Sequence, residues 1–220
     1  MINYERTQPP PPCLATTRKY DCEGVLIQLK ADFKNKCYLC EQKAPVSLNI
    51  EHFKPHKGDE RLKLDWNNLF FVCAHCNNCK LAITQFDDIL NCTNPAIRIV
   101  DRIQFDIKPF PKEYPKIRAI TADETTKNTV SLLEKIYNGE HTANKLIASD
   151  NLRAALKTEI KLFGQKLDEY YEEDLQIQEK ERIKNEIKRM LAASSAFTAF
   201  KTWIIKENKH LLAEFKQFLP

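Results

Sequence analysis

Residues 37–80 read CYLCEQKAPVSLNIEHFKPHKGDERLKLDWNNLFFVCAHCNNCK, and this stretch decides the fold. It opens with one CxxC pair, Cys37 and Cys40, and closes with a second pair, Cys73 and Cys76. Two such pairs present four thiolates with the spacing of a tetrahedral zinc site. The sequence therefore predicts a structural zinc ion that holds together the two ends of the intervening segment.

The remaining cysteines are weaker candidates for zinc ligands. Cys79 extends the second pair to CxxCxxC and is an alternative to Cys76 as the fourth ligand. Cys13, Cys22 and Cys92 stand alone, and we expect them to be small core residues. The N-terminal stretch lacks the apolar run of a signal peptide, so we expect a cytoplasmic protein whose thiols bind metal rather than form disulfides.

The composition describes the class of protein around this segment. The 220 residues are 43% hydrophobic and 29% charged, as in a soluble globular protein, and 4 glycines exclude collagen-like and glycine-rich disordered chains. No apolar run is long enough for a membrane span, so we expect no membrane partner. The net charge is +4, and the whole positive surplus lies in residues 1–120 together with every cysteine. Such a distribution is compatible with nucleic acid as a partner.

The chain divides into four parts by pattern. Four prolines at 9–12 predict an extended, poorly ordered leader, and apolar residues at helical spacing predict a helix over 19–35. Apolar residues at steps of three and four predict packed helices in the last part. We expect a mainly α protein with a small α+β module. Its parts are a leader and helix (1–36), the cysteine-bounded module (37–95), a connecting segment with short strands (96–127) and a helical region (128–220).

Three polar side chains of the cysteine-bounded segment suggest hydrolytic chemistry. Glu51 offers a hard carboxylate oxygen to Mg²⁺ or Mn²⁺. His52 has an ordinary pKa near neutrality and can act as a general base for water. Asn77 directly follows the zinc ligand Cys76, so the zinc ion would fix its place, and its amide oxygen can complete the divalent-ion site. Together they predict a metal-dependent hydrolytic site.

This segment resembles the HNH endonuclease family with zinc knuckles. The likeness lies in the order of its motifs, which are CxxC, Glu-His, Asn-Leu, CxxCN and Lys. The resemblance implies a ββα-metal core of a two-stranded hairpin and a helix, and cleavage of nucleic acid, with DNA as the expected substrate. It makes His52 the water-activating base and Asn68 the residue that bonds the backbone and steadies the histidine's loop. It makes Glu51 and Asn77 ligands of the catalytic ion. Asn67 and Asn78 are neighbours with a weaker claim to these positions.

Three further residues are candidates for contact with nucleic acid. Lys80 matches the lysine that ends CNxxK, and we expect it to contact phosphate. Lys54 and His56 are expected to line the nucleic-acid groove, and His56 is an alternative metal ligand. His75 lies inside the second cysteine pair and is expected to point elsewhere. A zinc-stabilised module that binds nucleic acid or a partner without catalysis, and a nuclease for RNA or tRNA, remain alternatives.

The elements EHFKPH and WNNLF, followed by C..CN..K, are also similar to the PtuB group, the HNH nucleases of Septu-type, retron-associated anti-phage defence systems. This resemblance implies a partner, a PtuA-like ATPase of the ABC or SMC type. The chain contains no GxxxxGK[ST] sequence, so any control by nucleotide would come from that partner.

Overall fold

A two-stranded antiparallel sheet and a helix occupy the middle of the chain in the computed structural model, which describes residues 1–81, 83–139 and 142–220. Strand β1 (Leu48–His52) pairs with β2 (Leu69–Cys73), with His52 opposite Leu69. Helix α4 (Ala74–Lys80) follows β2 without a break. This order confirms the ββα core expected from the sequence. The β2 segment LFFVC is buried throughout because helices pack against it.

The other elements form a mainly helical body, which also confirms the predicted fold class. A second antiparallel sheet pairs Ile103 with Ala119 and Asp106 with Lys116, in the segment where short strands were expected. No described helix is long and apolar enough to cross a membrane. The remaining elements are α1 (Pro12–Thr17), α2 (Glu23–Asp32), α3 (Glu60–Lys63), β3 (Ile103–Asp106), β4 (Lys116–Ala119), α5 (Glu124–Asn138), α6 (Ala143–Tyr170), α7 (Ile177–Leu191), α8 (Thr198–Glu207) and α9 (Lys209–Phe215).

Helix boundaries follow local capping chemistry. Helix α2 begins later than predicted, with Cys22 as its N-terminal cap. Helix α5 begins before residue 128 because the carboxylate of Asp123 accepts a hydrogen bond from the Thr126 amide. Both differences shift the start of a helix by about one turn.

One continuous apolar core joins the cysteine-bounded module to the body. It runs from Met1 to Phe200 and includes residues of β1, β2, α4, α5 and α6. A smaller cluster lies between the last helices. The main core contains residues from all four parts of the chain that were predicted from the sequence. The hairpin and α4 are therefore packed into the body rather than appended to it.

The N-terminal segment corrects the expectation of a poorly ordered leader. Met1, Ile2 and Tyr4 are buried. The Arg6 guanidinium lies 4.2 Å from the Trp66 ring centroid and donates to the Leu69 carbonyl at 2.8 Å. The prolines predicted extended backbone, whereas the last of them begins α1. They gave no information about the apolar side chains before them, which enter the main core.

The lone cysteines also differ in part from expectation. Cys13 and Cys22 form a disulfide with a Cα–Cα distance of 6.3 Å, so the expectation that they are separate core residues was wrong. The turn between α1 and α2 brings them together, and nothing in their sequence spacing signalled it. Cys92 is a free, fully buried core residue, as predicted. Burial raises the pKa of its thiol to about 12.

A buried carboxylate connects the first cysteine pair to both ends of the core. Glu41 bonds the Met1 amino group at 2.7 Å and the Lys36 ammonium at 3.0 Å, and accepts from the Ala199 amide at 3.2 Å. Lys36 also donates to the Ser195 carbonyl at 2.7 Å. Although burial opposes ionisation, the two ammonium groups lower the pKa of Glu41 to about 2. The carboxylate therefore joins three distant parts of the chain.

We predict that Glu41→Gln lowers the free energy of unfolding by about 3–5 kcal/mol at neutral pH, because it leaves two buried cations without a counter-charge. Chemical denaturation measures the change. Glu60→Gln, which removes an exposed carboxylate paired with Lys63 and Arg18, is the matched control and should leave stability nearly unchanged. Equal stability of the two variants would contradict the role given to Glu41.

Candidate active site

Four cysteine sulfurs meet where the hairpin contacts the first CxxC pair. The Sγ atoms of Cys37, Cys40, Cys73 and Cys76 all lie within 4.8 Å of one another, and all four residues are buried. The Sγ atoms of Cys40 and Cys73 are 3.9 Å apart. Tetrahedral Zn–S bonds of about 2.3 Å place neighbouring sulfurs about 3.8 Å apart, so the cluster fits a structural zinc ion.

The thiols also need a cation for electrostatic reasons. Burial and the neighbouring thiols raise the pKa of Cys40 and Cys76 well above the ordinary value. Burial acts in the same direction on Cys37, but hydrogen bonds from the other three thiols outweigh it and lower its pKa. Four thiolates could coexist in this buried volume only with a compensating charge, which a bound metal ion would supply.

Cys79 lies outside the cluster. Its Sγ atom is 4.0 Å from Nδ1 of His75, whose Nε2 donates to the Ile136 carbonyl at 2.8 Å. The alternative in which Cys79 replaces Cys76 is therefore excluded by the structure, and His75 points away from the hairpin as expected.

The alternation of side chains along β1 separates the two residues of the Glu-His pair. Glu51 is buried on the inner side of the strand, whereas His52 is half-buried on the other. Each residue therefore has its own set of contacts, although both belong to the same short strand.

Glu51 lies in a buried pocket of polar groups. Its Oε1 atom accepts from the Tyr38 hydroxyl at 3.2 Å and forms an ion pair with the Lys80 ammonium. Its Oε2 atom is buried without a hydrogen-bond partner among the described residues. Burial raises the pKa of Glu51, although Lys80 opposes the shift. An unpartnered, buried carboxylate oxygen is a suitable ligand for a hard divalent cation.

Lys80 is placed differently from the expected phosphate contact. Only 6% of the residue is exposed, and its ammonium donates to the Phe53 carbonyl at 2.7 Å in addition to pairing with Glu51. It acts here as the counter-ion of Glu51. Asn77 is half-buried one turn earlier on α4, so it shares the helix face that carries Lys80 toward Glu51.

The imidazole of His52 is held from three sides. Its Nε2 atom lies 3.0 Å from the Lys63 carbonyl, and the rings of Tyr20 and His56 each lie 4.7 Å away, centroid to centroid. Because a carbonyl only accepts, Nε2 carries the proton of the neutral ring and Nδ1 keeps the lone pair. Burial lowers the pKa of His52 below its ordinary value, which favours this neutral form.

The side chain of Asn68 forms hydrogen bonds with the backbone that follows His52. Its Oδ1 atom accepts from the Lys54 amide at 2.7 Å. Its amide group donates to the carbonyls of Lys54 at 2.9 Å and Leu62 at 3.0 Å. The side chain thus bridges the β1 end and α3, the helix whose Lys63 carbonyl contacts the histidine.

The remaining predicted contacts lie at the surface beside His52. Lys54 is exposed, and His56 is half-buried with Nδ1 accepting from the Gly58 amide at 3.2 Å. Three residues of the site, Tyr38, Lys63 and Tyr20, were not predicted from the sequence. Tyr38 lies inside the first CxxC pair, which was a usable signal, whereas Lys63 acts through its carbonyl and Tyr20 comes from a distant part of the chain.

We predict that Cys40→Ser loses the bound zinc and unfolds at a lower temperature, because a serine hydroxyl does not replace a thiolate ligand. Elemental analysis and thermal unfolding of the purified variant measure both changes. Cys79→Ala removes a buried thiol outside the cluster and should keep the wild-type zinc content. Loss of zinc from both variants alike would argue against the four-cysteine assignment.

We predict that Asn68→Ala costs about 1–3 kcal/mol of stability, since it leaves partly buried backbone groups without their side-chain partner. Asn67→Ala, at the exposed neighbouring position, should have a much smaller effect. Hydrogen exchange of the segment 53–64 should accelerate only in the Asn68 variant. Unchanged exchange there would show that the side chain does not hold this loop.

Comparisons with known proteins agree with this geometry over the cysteine-bounded segment. The family model described as HNH endonuclease matches residues 37–82, which is less than half of the chain. No curated protein and no solved structure matches the chain. The matched residues contain the four-cysteine cluster, the hairpin and α4. Residues 37–82 are therefore an HNH endonuclease domain, of the phosphodiester hydrolases that cleave nucleic acid with the help of a metal ion.

Proposed function

We propose that this chain is a divalent-metal-dependent endonuclease that hydrolyses phosphodiester bonds of DNA, with His52 as the general base. The observation that carries the proposal is the setting of His52 within the HNH domain. Its Nε2–H is held by the Lys63 carbonyl, which makes Nδ1 the basic atom of a half-buried ring, two residues before the exposed Lys54.

The chemistry required of the base is one proton transfer. Nδ1 of His52 takes a proton from a water molecule as the water oxygen bonds to phosphorus and the bond to the leaving 3′ oxygen breaks, and that oxygen takes a proton from solvent. The lowered pKa of His52 keeps the acceptor form populated at neutral pH. A positioned general base typically contributes a factor of about 10²–10⁴ to the rate. Asn68 supports this step by holding the backbone on either side of the histidine's loop.

Glu51 and Asn77 are the residues we propose to hold Mg²⁺ or Mn²⁺. The unpartnered Oε2 atom of Glu51 and the half-buried amide of Asn77 on the neighbouring helix support this assignment. When bound, the ion would stabilise the negative charge that develops on the phosphate and the leaving oxygen. Lys80 balances the charge of Glu51 in the buried pocket.

Nucleic acid is proposed to bind across the surface beside His52, where Lys54 and His56 lie. A site built from cations at the ends of flexible side chains contacts the phosphate backbone rather than base edges, so binding should weaken steeply with salt. DNA is the proposed substrate on the strength of the family resemblance, and RNA or tRNA is an outcome of the test below.

We further propose that the chain acts in the cytoplasm in anti-phage defence of the Septu type, together with an ATPase of the ABC or SMC type. The support is the likeness of EHFKPH and WNNLF..C..CN..K to that group of nucleases. The extensive helical body beyond residue 124 offers surface for such a partner.

The test is cleavage of plasmid DNA, single-stranded DNA and bulk tRNA by the purified protein at low salt with Mg²⁺. We expect His52→Ala to cleave about 10²–10⁴-fold more slowly than wild type, with unchanged zinc content and thermal stability. His210→Ala, at an exposed histidine of α9, should cleave as wild type does.

Equal cleavage by wild type and His52→Ala would remove the histidine from the mechanism. If wild type cuts none of the substrates, the assay is repeated with the co-purified ATPase. Cutting that appears only then supports the partner proposal. If no substrate is cleaved even with the ATPase present, the result favours the alternative of a zinc-stabilised binding module without catalysis.

A further inference from the structure

A tyrosine from outside the HNH domain packs against the proposed base. Tyr20 precedes α2, yet its ring lies 4.7 Å from the His52 ring, with the two planes at 65° in an edge-to-face contact. His56 packs on the same imidazole at 4.7 Å and 62°. We propose that Tyr20 is a positioning residue that orients His52 for catalysis, an inference that rests on the proposed function of His52.

The loop that carries Tyr20 is closed by a disulfide and lies against α3. Its ends are joined by the disulfide between Cys13 and Cys22. Arg18 of the same loop lies 3.5 Å from the carboxylate of Glu60, in the first turn of α3. Helix α3 also supplies the Lys63 carbonyl that contacts His52. The tyrosine therefore comes from a disulfide-closed loop and the carbonyl from α3, and the exposed Arg18–Glu60 pair between them adds little by itself.

The physical need for Tyr20 follows from the freedom of an imidazole. One hydrogen bond at Nε2 fixes a single point of the ring, about which the ring can still pivot. Contacts from Tyr20 and His56 limit that pivot and so fix the direction of the Nδ1 lone pair. Small losses of alignment between reacting groups cost large factors in rate. Edge-to-face aromatic contacts supply such restraint through the rings themselves.

The contact is between rings, so the aromatic group rather than the hydroxyl should matter. Tyr20→Ala removes the ring, and Tyr20→Phe keeps it. Because the proposed role is to orient the base and not to hold the nucleic acid, we expect the loss of the ring to appear in kcat rather than in KM.

The test is steady-state cleavage of the substrate identified above, with Mg²⁺ and the full chain. We expect Tyr20→Ala to lower kcat about tenfold with KM changed less than about twofold, and Tyr20→Phe to recover most of kcat. Tyr171→Ala removes an exposed tyrosine that packs on Tyr170 in the helical body and serves as the matched control. Wild-type kcat in Tyr20→Ala, or an equal fall of kcat in Tyr20→Phe, would overturn the proposal.

A second readout separates this inference from the proposed function. The ring-proton NMR signals of His52, assigned by their loss in His52→Ala, report the Tyr20 contact without any cleavage. We expect them to shift in Tyr20→Ala and to stay in place in Tyr20→Phe and Tyr171→Ala. Unmoved signals in Tyr20→Ala overturn the positioning role even if the protein is an active nuclease. If His52→Ala cleaves as wild type does, the proposed function fails, and positioning for catalysis fails with it even where the signals shift.

Discussion

The four-cysteine cluster is the constraint on which the rest of the site depends. Cys73 ends β2 and caps α4, so tying its thiol to Cys40 fixes both the hairpin and the start of the helix. The segment between the two pairs can then hold functional groups on a short strand and a loop that would be too small to fold alone. A metal ion in this cluster would hold together the two ends of a segment whose apolar side chains already belong to the main core.

The short strand β1 serves two kinds of chemistry because adjacent side chains point to opposite faces. Glu51 faces a buried pocket, where Lys80 and Tyr38 surround a carboxylate that keeps one oxygen unpartnered. His52 faces the surface, where a backbone carbonyl decides which ring nitrogen is basic. The charged groups are thus kept apart by the strand itself, and each has its pKa shifted by burial in its own surroundings.

The body of the protein is part of the site rather than a support beneath it. Glu41 connects the first cysteine pair to the Met1 amino group and to α8, and Arg6 reaches across to the backbone of β2. Tyr20 reaches His52 from the same N-terminal part of the chain. Residues outside the HNH domain therefore determine how rigidly its hairpin and its histidine are held.

The sequence by itself determined the metal cluster and the helical body, because local spacing encodes both, and its resemblance to the HNH family implied the ββα order. Paired cysteines and apolar residues at helical steps need no knowledge of distant contacts. Only the tertiary structure decided that Lys80 pairs with Glu51, that Cys13 bonds Cys22, and that the N-terminal segment is buried. These features join residues far apart along the chain, and the contact that forms depends on how the whole core packs rather than on any local pattern.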